Sequence, residues 1–549
     1  MTDTTTIVPS NGKLPGILVA MAAGISMLLS ALNYPVIGHD AYVHLNWLEQ
    51  FPNLFLHGVW YPRWLPDSFG GFGAPTFYFY APLVYWVGAF LYSIGIHSPS
   101  YLYNFLALIF EIASFVSTYL VLRQIASSSR MALVGAAIYS FLAYRFCDVF
   151  IRDALTEHAA LAFLPLVFIS SRDRVRSIAT YAVGWAGLLL TNLPIAYLGI
   201  FSILVFNIAE RSYKRLAMHG LAFVIAIGAS AVYLFPAFAL RGFVHQRHLF
   251  DLDLHTSLFG FALLDLFQGH FDWLRISSIA TAMGGVLILF WKSEWTRDGW
   301  KWVAVLALFF QLPFISAPLW HLIPGMPFVQ FSWRWNGVLL LAIAVLFVRW
   351  GKERGSIQAC VVIGLALVTI LSELTIARNL FVPASPAVTW FHTDAPEYAP
   401  KWASNDPGEV IGIALRRASD PAAVLLGLTM PGDTVALQSR TATEWRFASK
   451  LSRPTSVRFH LFYWPFWKAR TDSAQIVLEA DPNGFLQAVL PAGQSEIHLE
   501  LQPSPAEQAG RAVSIIGAGV LTILLAAAAY RSILIRREIA MPPASARKT

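Results

Sequence analysis

The chain has 549 residues, 56% of them hydrophobic and 13% charged, with a mean hydropathy of +0.56. A soluble protein carries about a quarter charged residues, so a water-soluble globular fold is excluded and a polytopic α-helical membrane protein is expected. The net charge of +7 fits the Lys/Arg excess of cytoplasmic loops; no basic run is interleaved with a soluble domain, so no nucleic acid partner is expected.

Twelve apolar runs look long enough to cross a bilayer: 14–37, 100–122, 131–147, 156–171, 177–191, 193–210, 217–240, 276–291, 301–317, 336–350, 356–377 and 511–533. The first follows Lys13 with no small-residue cleavage pattern and reads as an uncleaved helix. Basic residues recur between Arg123 and Arg130, Arg172 and Arg176, Arg211 and Arg215, Lys292 and Lys301, Arg349 and Arg354, and in the tail from Arg531 to Lys548. With the N-terminus inside, twelve crossings put all of these inside. The apolar stretch from Phe77 to Ile96 would invert that arrangement if it crossed. It is therefore read as a juxtamembrane part of the first outer loop, which suits Tyr78, Tyr80, Pro82, Tyr85 and Trp86.

The outer loops are 38–99, 148–155, the short turn at Thr191-Asn192, 241–275, 318–335 and 378–510. In the last of these, Val457–Trp464, Gln475–Ala480, Phe485–Leu490 and Ile497–Leu501 read as strands around an Asp481-Pro482-Asn483-Gly484 turn. A small extracytoplasmic β-rich domain, a sandwich, is expected there. The division is thus a transmembrane domain over 1–377 with its first outer loop at 38–99, a β-rich domain over 378–510, and a last helix with a cytoplasmic tail over 511–549. Cys147 and Cys360 fit no metal spacing and read as small core residues.

Chemistry is expected on the outer face. His39-Asp40, with His44 four residues after Asp40, places an ionised oxygen where a helix emerges. It can take a proton from a hydroxyl or hold a metal; the competing reading is a helix N-cap. Tyr61-Pro62-Arg63-Trp64 precedes the glycine-rich Gly70-Gly71-Phe72-Gly73. Arg63 offers a fork for phosphate oxygens, Tyr61 and Trp64 a stacking surface for a sugar, and the glycines close backbone approach. Interfacial anchoring is an equal alternative for these residues. Arg152, Glu157 and His158 stand at the mouth of an apolar run, where an ionisable group faces a cavity or a partner; an internal Arg–Glu or Asp–Arg pair is an equal alternative. Arg334, in Phe331-Ser332-Trp333-Arg334-Trp335, is a second candidate for a lipid-linked phosphate, with snorkelling as the alternative. The loop with Arg241, His245, Arg247, His248, Asp251, Asp253 and His255 has no fixed metal spacing and reads as a solvated or lid-like loop.

GHDAYVH, HGVWYPRWLPDSFGGFGAPTFYFYAPLVY, RDALTEHAALAFLPL, MPFVQFSWRW, Glu397-Tyr398-Ala399-Pro400 and FYWPFWKA together give the chain a likeness to known proteins. It resembles the multi-spanning GT-C glycosyltransferases. Within them it is similar to the bacterial membrane proteins with a 6-pyruvoyl-tetrahydropterin synthase-related domain and their YfhO-like relatives. The resemblance implies a bacterial plasma-membrane enzyme with its site on the extracytoplasmic face. It implies a polyprenyl-phosphate sugar donor, a glycan, lipid or protein acceptor, and transfer with inversion. The acidic residue that follows the first helix in that superfamily maps onto Asp40, as base or acceptor-orienting residue. Arg63 and Arg334 would take the donor phosphate, and His39, His44, Tyr61, Trp64, Arg152, Glu157 and His158 would line the pocket. Many relatives pair two acids where this chain has His39-Asp40, which weakens a carboxylate-pair metal site. A divalent metal cofactor stays open, with His39, Asp40 and His44 the residues at hand for it. A transporter or a lipid- or glycan-binding protein on the same scaffold is the alternative from another class.

Overall fold

The computed structural model describes residues 14–34, 36–245, 273–290, 297–350, 355–378, 394–404, 425–426 and 430–540. Among them six helices are long and apolar enough to cross a membrane: Leu14–Ala31, Pro99–Leu122, Tyr213–Phe243, Ser332–Arg349, Ala359–Ala377 and Pro505–Leu534. Ser129–Phe141 and Tyr144–Phe150 meet at 41° and make a seventh if they form one bent span. The chain is read accordingly as a multi-pass membrane protein.

The run at 177–191 lies in the unbroken 18-residue helix Arg174–Thr191, and other remaining runs are helical but short or broken. Leu193–Ala209 and Trp273–Leu289 have 17 residues each. The run at 156–171 divides into Leu155–Ala160 and a 3-10 turn, Leu164–Phe168, that begins beside Pro165. The run at 301–317 divides into Gly299–Phe309 and Pro313–Leu322. A proline lacks the N–H that would continue the helix, so Pro165 and Pro313 interrupt what hydrophobicity alone reads as one crossing. Among the described residues, length and composition alone thus support six or seven of the twelve expected crossings. The stretch from Phe77 to Ile96 holds Thr76–Phe79 and Leu83–Ser93. Eleven residues of helix rise about 16 Å, roughly half of a hydrocarbon layer.

The bundle has two chemically different ends. At one end the basic loops meet. Arg531 reaches Asp173 at 3.2 Å, Arg349 reaches Asp298 at 3.0 Å, and the Gly299 N–H bonds Glu210 at 3.1 Å. At the other end the segment from His39 to Pro82 packs under the β-rich region. There two antiparallel sheets lie together, one of five strands (Thr434–Arg440, Glu444–Leu451, Gly493–Leu501, Trp467–Arg470 and Gln475–Ile476 in spatial order) and one of four (Leu425–Leu426, Thr455–Phe462, Phe485–Leu490, Leu478–Ala480). Alternating inward residues fill the interior: Trp445 and Phe447, Val457, Phe459 and Leu461, Leu486 and Ala488, Ile497 and Leu499. Leu425–Leu426, Thr434–Arg440, Glu444–Leu451 and Trp467–Arg470 escaped the sequence pattern; Thr434–Arg440 is largely exposed, whereas Glu444–Leu451 and Trp467–Arg470 alternate in burial.

The Gly70–Gly73 loop is the joint between the two parts. The Phe462 N–H donates to the Phe72 carbonyl at 2.8 Å, His460 Nε2 lies 3.1 Å from the Gly70 carbonyl, and the Phe72 and His460 rings stack at 4.1 Å. Gly73 has φ +80°, and a Cβ there would stand 2.5 Å from the Trp64 ring. At Gly73 the close approach is to the Trp64 ring. Gly73→Ala is expected to destabilise the protein by about 1–3 kcal/mol, read as a lower unfolding temperature in detergent. An unchanged value would show that the loop can relax.

Candidate active site

Asp40 stands where the backbone of the first outer loop is strapped to the turn before Leu155. The His39 N–H bonds the Ile151 carbonyl at 3.2 Å, the Asp40 N–H bonds the Arg152 carbonyl at 2.9 Å, and the Gly38 N–H bonds Asp153 Oδ2 at 2.5 Å. A side chain at Gly38 would collide with the Asp153 carboxylate, 2.7 Å from the Cβ position. Asp153 itself has φ +53°, uncommon for a residue with a Cβ. Asp40 occupies the N-cap position of the Ala41–Leu56 helix, yet its side chain makes no capping bond. The simple N-cap reading therefore fails, and the carboxylate is exposed at the helix start.

Behind it lies a buried ionic network. Glu157, 1% exposed, accepts from Arg152 Nη1 at 2.9 Å and from Arg334 Nε at 2.8 Å through the same oxygen. Its other oxygen accepts from the Tyr144 hydroxyl. Arg152 Nη1 also reaches Asp148 at 2.5 Å. Arg334 Nη1 donates to the Val329 carbonyl at 2.7 Å and to Gln330 Oε1 at 3.1 Å. Gln330 is held at φ +63°, and the Phe331 ring lies under both guanidinium groups, 5.1 Å from Arg334 and 5.6 Å from Arg152. Arg334 Nη2, and Nε and Nη2 of Arg152, make no hydrogen bond among the described residues. Two forks are thus fixed from behind while part of each remains available.

The electrostatics follow from this crowding. Asp40 is exposed but walled in by protein, and desolvation raises its carboxyl pKa above the ordinary value. Arg152, Arg334 and His39 pull it down and Glu157 pushes it up. Asp153, buried beside Asp40, is pushed up to about 7 by desolvation; the Gly38 N–H opposes this and the Asp40 charge adds to it. An acid whose pKa rises on folding stabilises the fold while protonated, and that contribution disappears as pH climbs through the folded value. Asp153→Asn keeps an oxygen for the Gly38 N–H and cannot ionise. Its unfolding temperature should therefore fall less than that of the wild type between about pH 4 and pH 8. Parallel pH curves would remove Asp153 from this account.

Several residues gather here that the sequence did not single out for a role. Tyr80 bonds Thr156 Oγ1 at 2.8 Å, and its ring lies 6.0 Å from that of Tyr398. Glu397 and Asp394 act electrostatically, with Asp40, on the Tyr42 hydroxyl, which burial first and these charges next push up to about 12. Asp394 fixes this segment. Its carboxylate accepts from Trp47 Nε1 and Thr76 Oγ1, each at 2.9 Å, and from the Ala395 N–H at 2.7 Å. Glu397-Tyr398 was visible in the sequence as a motif, but nothing local indicates that Asp394 clamps it against the first loop.

The remaining predicted residues lie elsewhere or are otherwise engaged. Arg63, 4% exposed, is ion-paired to Glu507 at 3.0 Å, donates to the Val232 carbonyl at 2.6 Å and covers the Tyr61 ring at 3.9 Å. It ties the last helix to the first outer loop and is engaged by protein on two sides, although its Nη1 has no hydrogen-bond partner. Trp64 is buried against Trp464 and Trp467, and Tyr61 is buried over Arg63, so neither presents a ring to a sugar. His44 Nδ1 lies 2.7 Å from the Tyr85 hydroxyl in an aromatic box; burial drives its pKa down to about 3. His158 Nε2 lies 3.1 Å from the Ala107 carbonyl. The His39, Asp40 and His44 set does not close around a metal, and among the described residues no three His, Cys, Asp or Glu side chains form such a group. Arg247, His248, Asp251, Asp253 and His255 lie outside the described residues; His245 Nε2 lies 3.1 Å from the Ala403 carbonyl.

No family model matches the chain, and no curated protein matches it. Among solved structures it is similar to the arabinofuranosyltransferase AftD from Mycobacteria, determined by single-particle cryo-EM, with 16% identity and a TM-score of 0.43 over 67% of this chain. The matched region spans 27% of that enzyme's length. A likeness this loose leaves the activity to be argued from the residues.

Proposed function

We propose that the chain is an integral membrane glycosyltransferase of GT-C type. It transfers a sugar from a polyprenyl-phosphate-linked donor to a hydroxyl of a glycan, lipid or protein acceptor on the extracytoplasmic side of a bacterial plasma membrane. The observation that carries the reading is a carboxylate free of capping bonds beside two arginines that one glutamate holds in place. Asp40 takes the acceptor O–H proton as the acceptor oxygen bonds to the anomeric carbon. The carbon–oxygen bond to phosphate breaks on the opposite face, so the configuration inverts. Polyprenyl phosphate leaves with the bonding electron pair, and the unused donors of Arg334 and Arg152 meet its growing charge. Desolvation raises the Asp40 pKa above its ordinary value, which makes its carboxylate a better proton acceptor for this task. Tyr80 and Tyr398 supply the aromatic wall that the sequence had assigned to Tyr61 and Trp64.

The test is turnover of a panel of polyprenyl-phosphate sugars by the purified chain in lipid, with glycan, lipid and peptide acceptors. Release of polyprenyl phosphate that depends on acceptor supports transfer. Saturable donor binding without release under every acceptor would replace the enzyme with a lipid-binding protein.

A further inference from the structure

The long Tyr213–Leu240 helix is jointed near its outer end. Pro236 lies inside it and has no N–H for the carbonyl four residues earlier, that of Val232. Arg63, from the first outer loop, supplies the missing donor: its Nη2 bonds the Val232 carbonyl at 2.6 Å. The Val232 N–H is also met from outside the helix, by Ser514 Oγ at 2.6 Å. The same hydroxyl lies 3.0 Å from the Ala229 carbonyl and 3.3 Å from that of Gly228. Proline and a side chain inserted into the hydrogen-bond ladder are two recognised causes of helix bends, and both fall between Gly228 and Pro236.

The joint is anchored on the last helix, Pro505–Ala540. That helix opens with a capping box. The Ser504 N–H donates to Glu507 Oε2 at 2.7 Å, and the Glu507 N–H donates to Ser504 Oγ at 3.2 Å. Glu507 Oε1 pairs with Arg63 Nε at 3.0 Å. Further along, Gly517 packs so closely on Gly228 that a Cβ there would collide with the Gly228 backbone.

The segment beyond the joint leads to the candidate active site. The Tyr233 hydroxyl donates to the Phe79 carbonyl at 2.9 Å, next to Tyr80. Past the end of the helix, the Lys401 N–H bonds the Phe243 carbonyl at 2.9 Å, and the His245 N–H bonds the Ala399 carbonyl at 3.2 Å, next to Tyr398. Both rings of the aromatic wall are therefore tied to the outer part of one jointed helix.

We propose that residues 232–243 form a hinged arm that carries Tyr80 and Tyr398 as a unit, and that Arg63 is the positioning residue that latches it. Motion about the joint opens or closes the aromatic wall over the candidate site. That the wall lines a sugar-transfer site rests on the glycosyltransferase reading. The arm and its latch do not, so the two fail separately.

The test is hydrogen exchange of the full chain in detergent, read by mass spectrometry on fragments covering 213–227, 232–243, 76–82 and 394–404. Arg63→Gln is expected to raise exchange in the last three about tenfold, the factor that one lost hydrogen bond to a charged group corresponds to. The inner part, 213–227, should not change. Pro236→Ala gives the Val232 carbonyl an N–H of its own helix. The double variant Arg63→Gln/Pro236→Ala should therefore regain protection in all three segments together. A general loss of packing around Glu507 would not be repaired from residue 236. Unchanged exchange in Arg63→Gln, a rise shared equally by 213–227, a rise confined to 232–243, or no recovery in the double variant overturns the arm. If Arg63→Gln does not fold, Pro236→Ala alone decides. Slower exchange than wild type in all three segments supports the arm, and unchanged exchange overturns it.

Discussion

Asp40→Asn is expected to lower transferase turnover by about 10²–10⁴-fold, the range a positioned general base contributes. Its unfolding temperature should stay close to that of the wild type. The side chain makes no capping bond and is exposed, and substitutions at such positions move stability by about 0.5 kcal/mol or less. The backbone bond from the Asp40 N–H to the Arg152 carbonyl, 2.9 Å, is untouched. Binding of the lipid-linked donor should also survive, since Arg152 and Arg334 remain in place. The loss therefore belongs in kcat with the donor KM little changed. In the wild type, the base must be ionised, so activity should fall as pH drops through the raised pKa of Asp40. Asp40→Glu should retain part of the activity with a displaced profile. Full turnover by a folded Asp40→Asn would remove the base role. Lost donor binding in that variant would make Asp40 a structural group instead.

How far the sequence could reach is instructive residue by residue. Length and apolarity locate helices well, because a bilayer imposes a simple rule. They cannot tell a full crossing from a broken one, and Pro165 and Pro313 divide two of the runs. The turn at Asp481–Gly484 and the strand Phe485–Leu490 were legible from turn chemistry and a clear period of two. Thr434–Arg440 was not, since its residues are largely exposed. Within the candidate site, Asp40, Arg152, Glu157 and Arg334 were each legible as costly charges at helix ends. Their convergence was not, because Arg334 and Glu157 are 177 positions apart. Arg63 carried the same local signal as Arg334. Only the fold shows that Arg63 is ion-paired with Glu507, on the last helix. A charged residue beside an apolar run announces that it needs a partner, and the sequence does not say whether the partner is substrate or protein.

Glu157→Gln tests that distinction at the centre of the network. One Glu157 oxygen serves both arginines, at 2.9 and 2.8 Å, while the other receives the Tyr144 hydroxyl. Glutamine keeps the shape and removes the charge, and its amide presents donors where donors already point. Among the described residues Arg334 then has no ion-paired carboxylate, and Arg152 keeps its pair with Asp148. Breaking a buried pair by removing one partner costs about 3–5 kcal/mol, chiefly because the other charge stays buried. Unfolding temperature should drop accordingly. Where the variant stays folded at low temperature, the donor KM should rise as the forks lose their alignment. A second substitution separates this from simple loss of packing. Removing the stranded cation with Arg334→Gln should cost less stability in the Glu157→Gln background than in the wild type, because the two side chains interact directly. Equal costs in both backgrounds would mean that Glu157 does not hold Arg334. The support for a fixed phosphate-binding fork would then fall, while the Asp40 result would stand on its own.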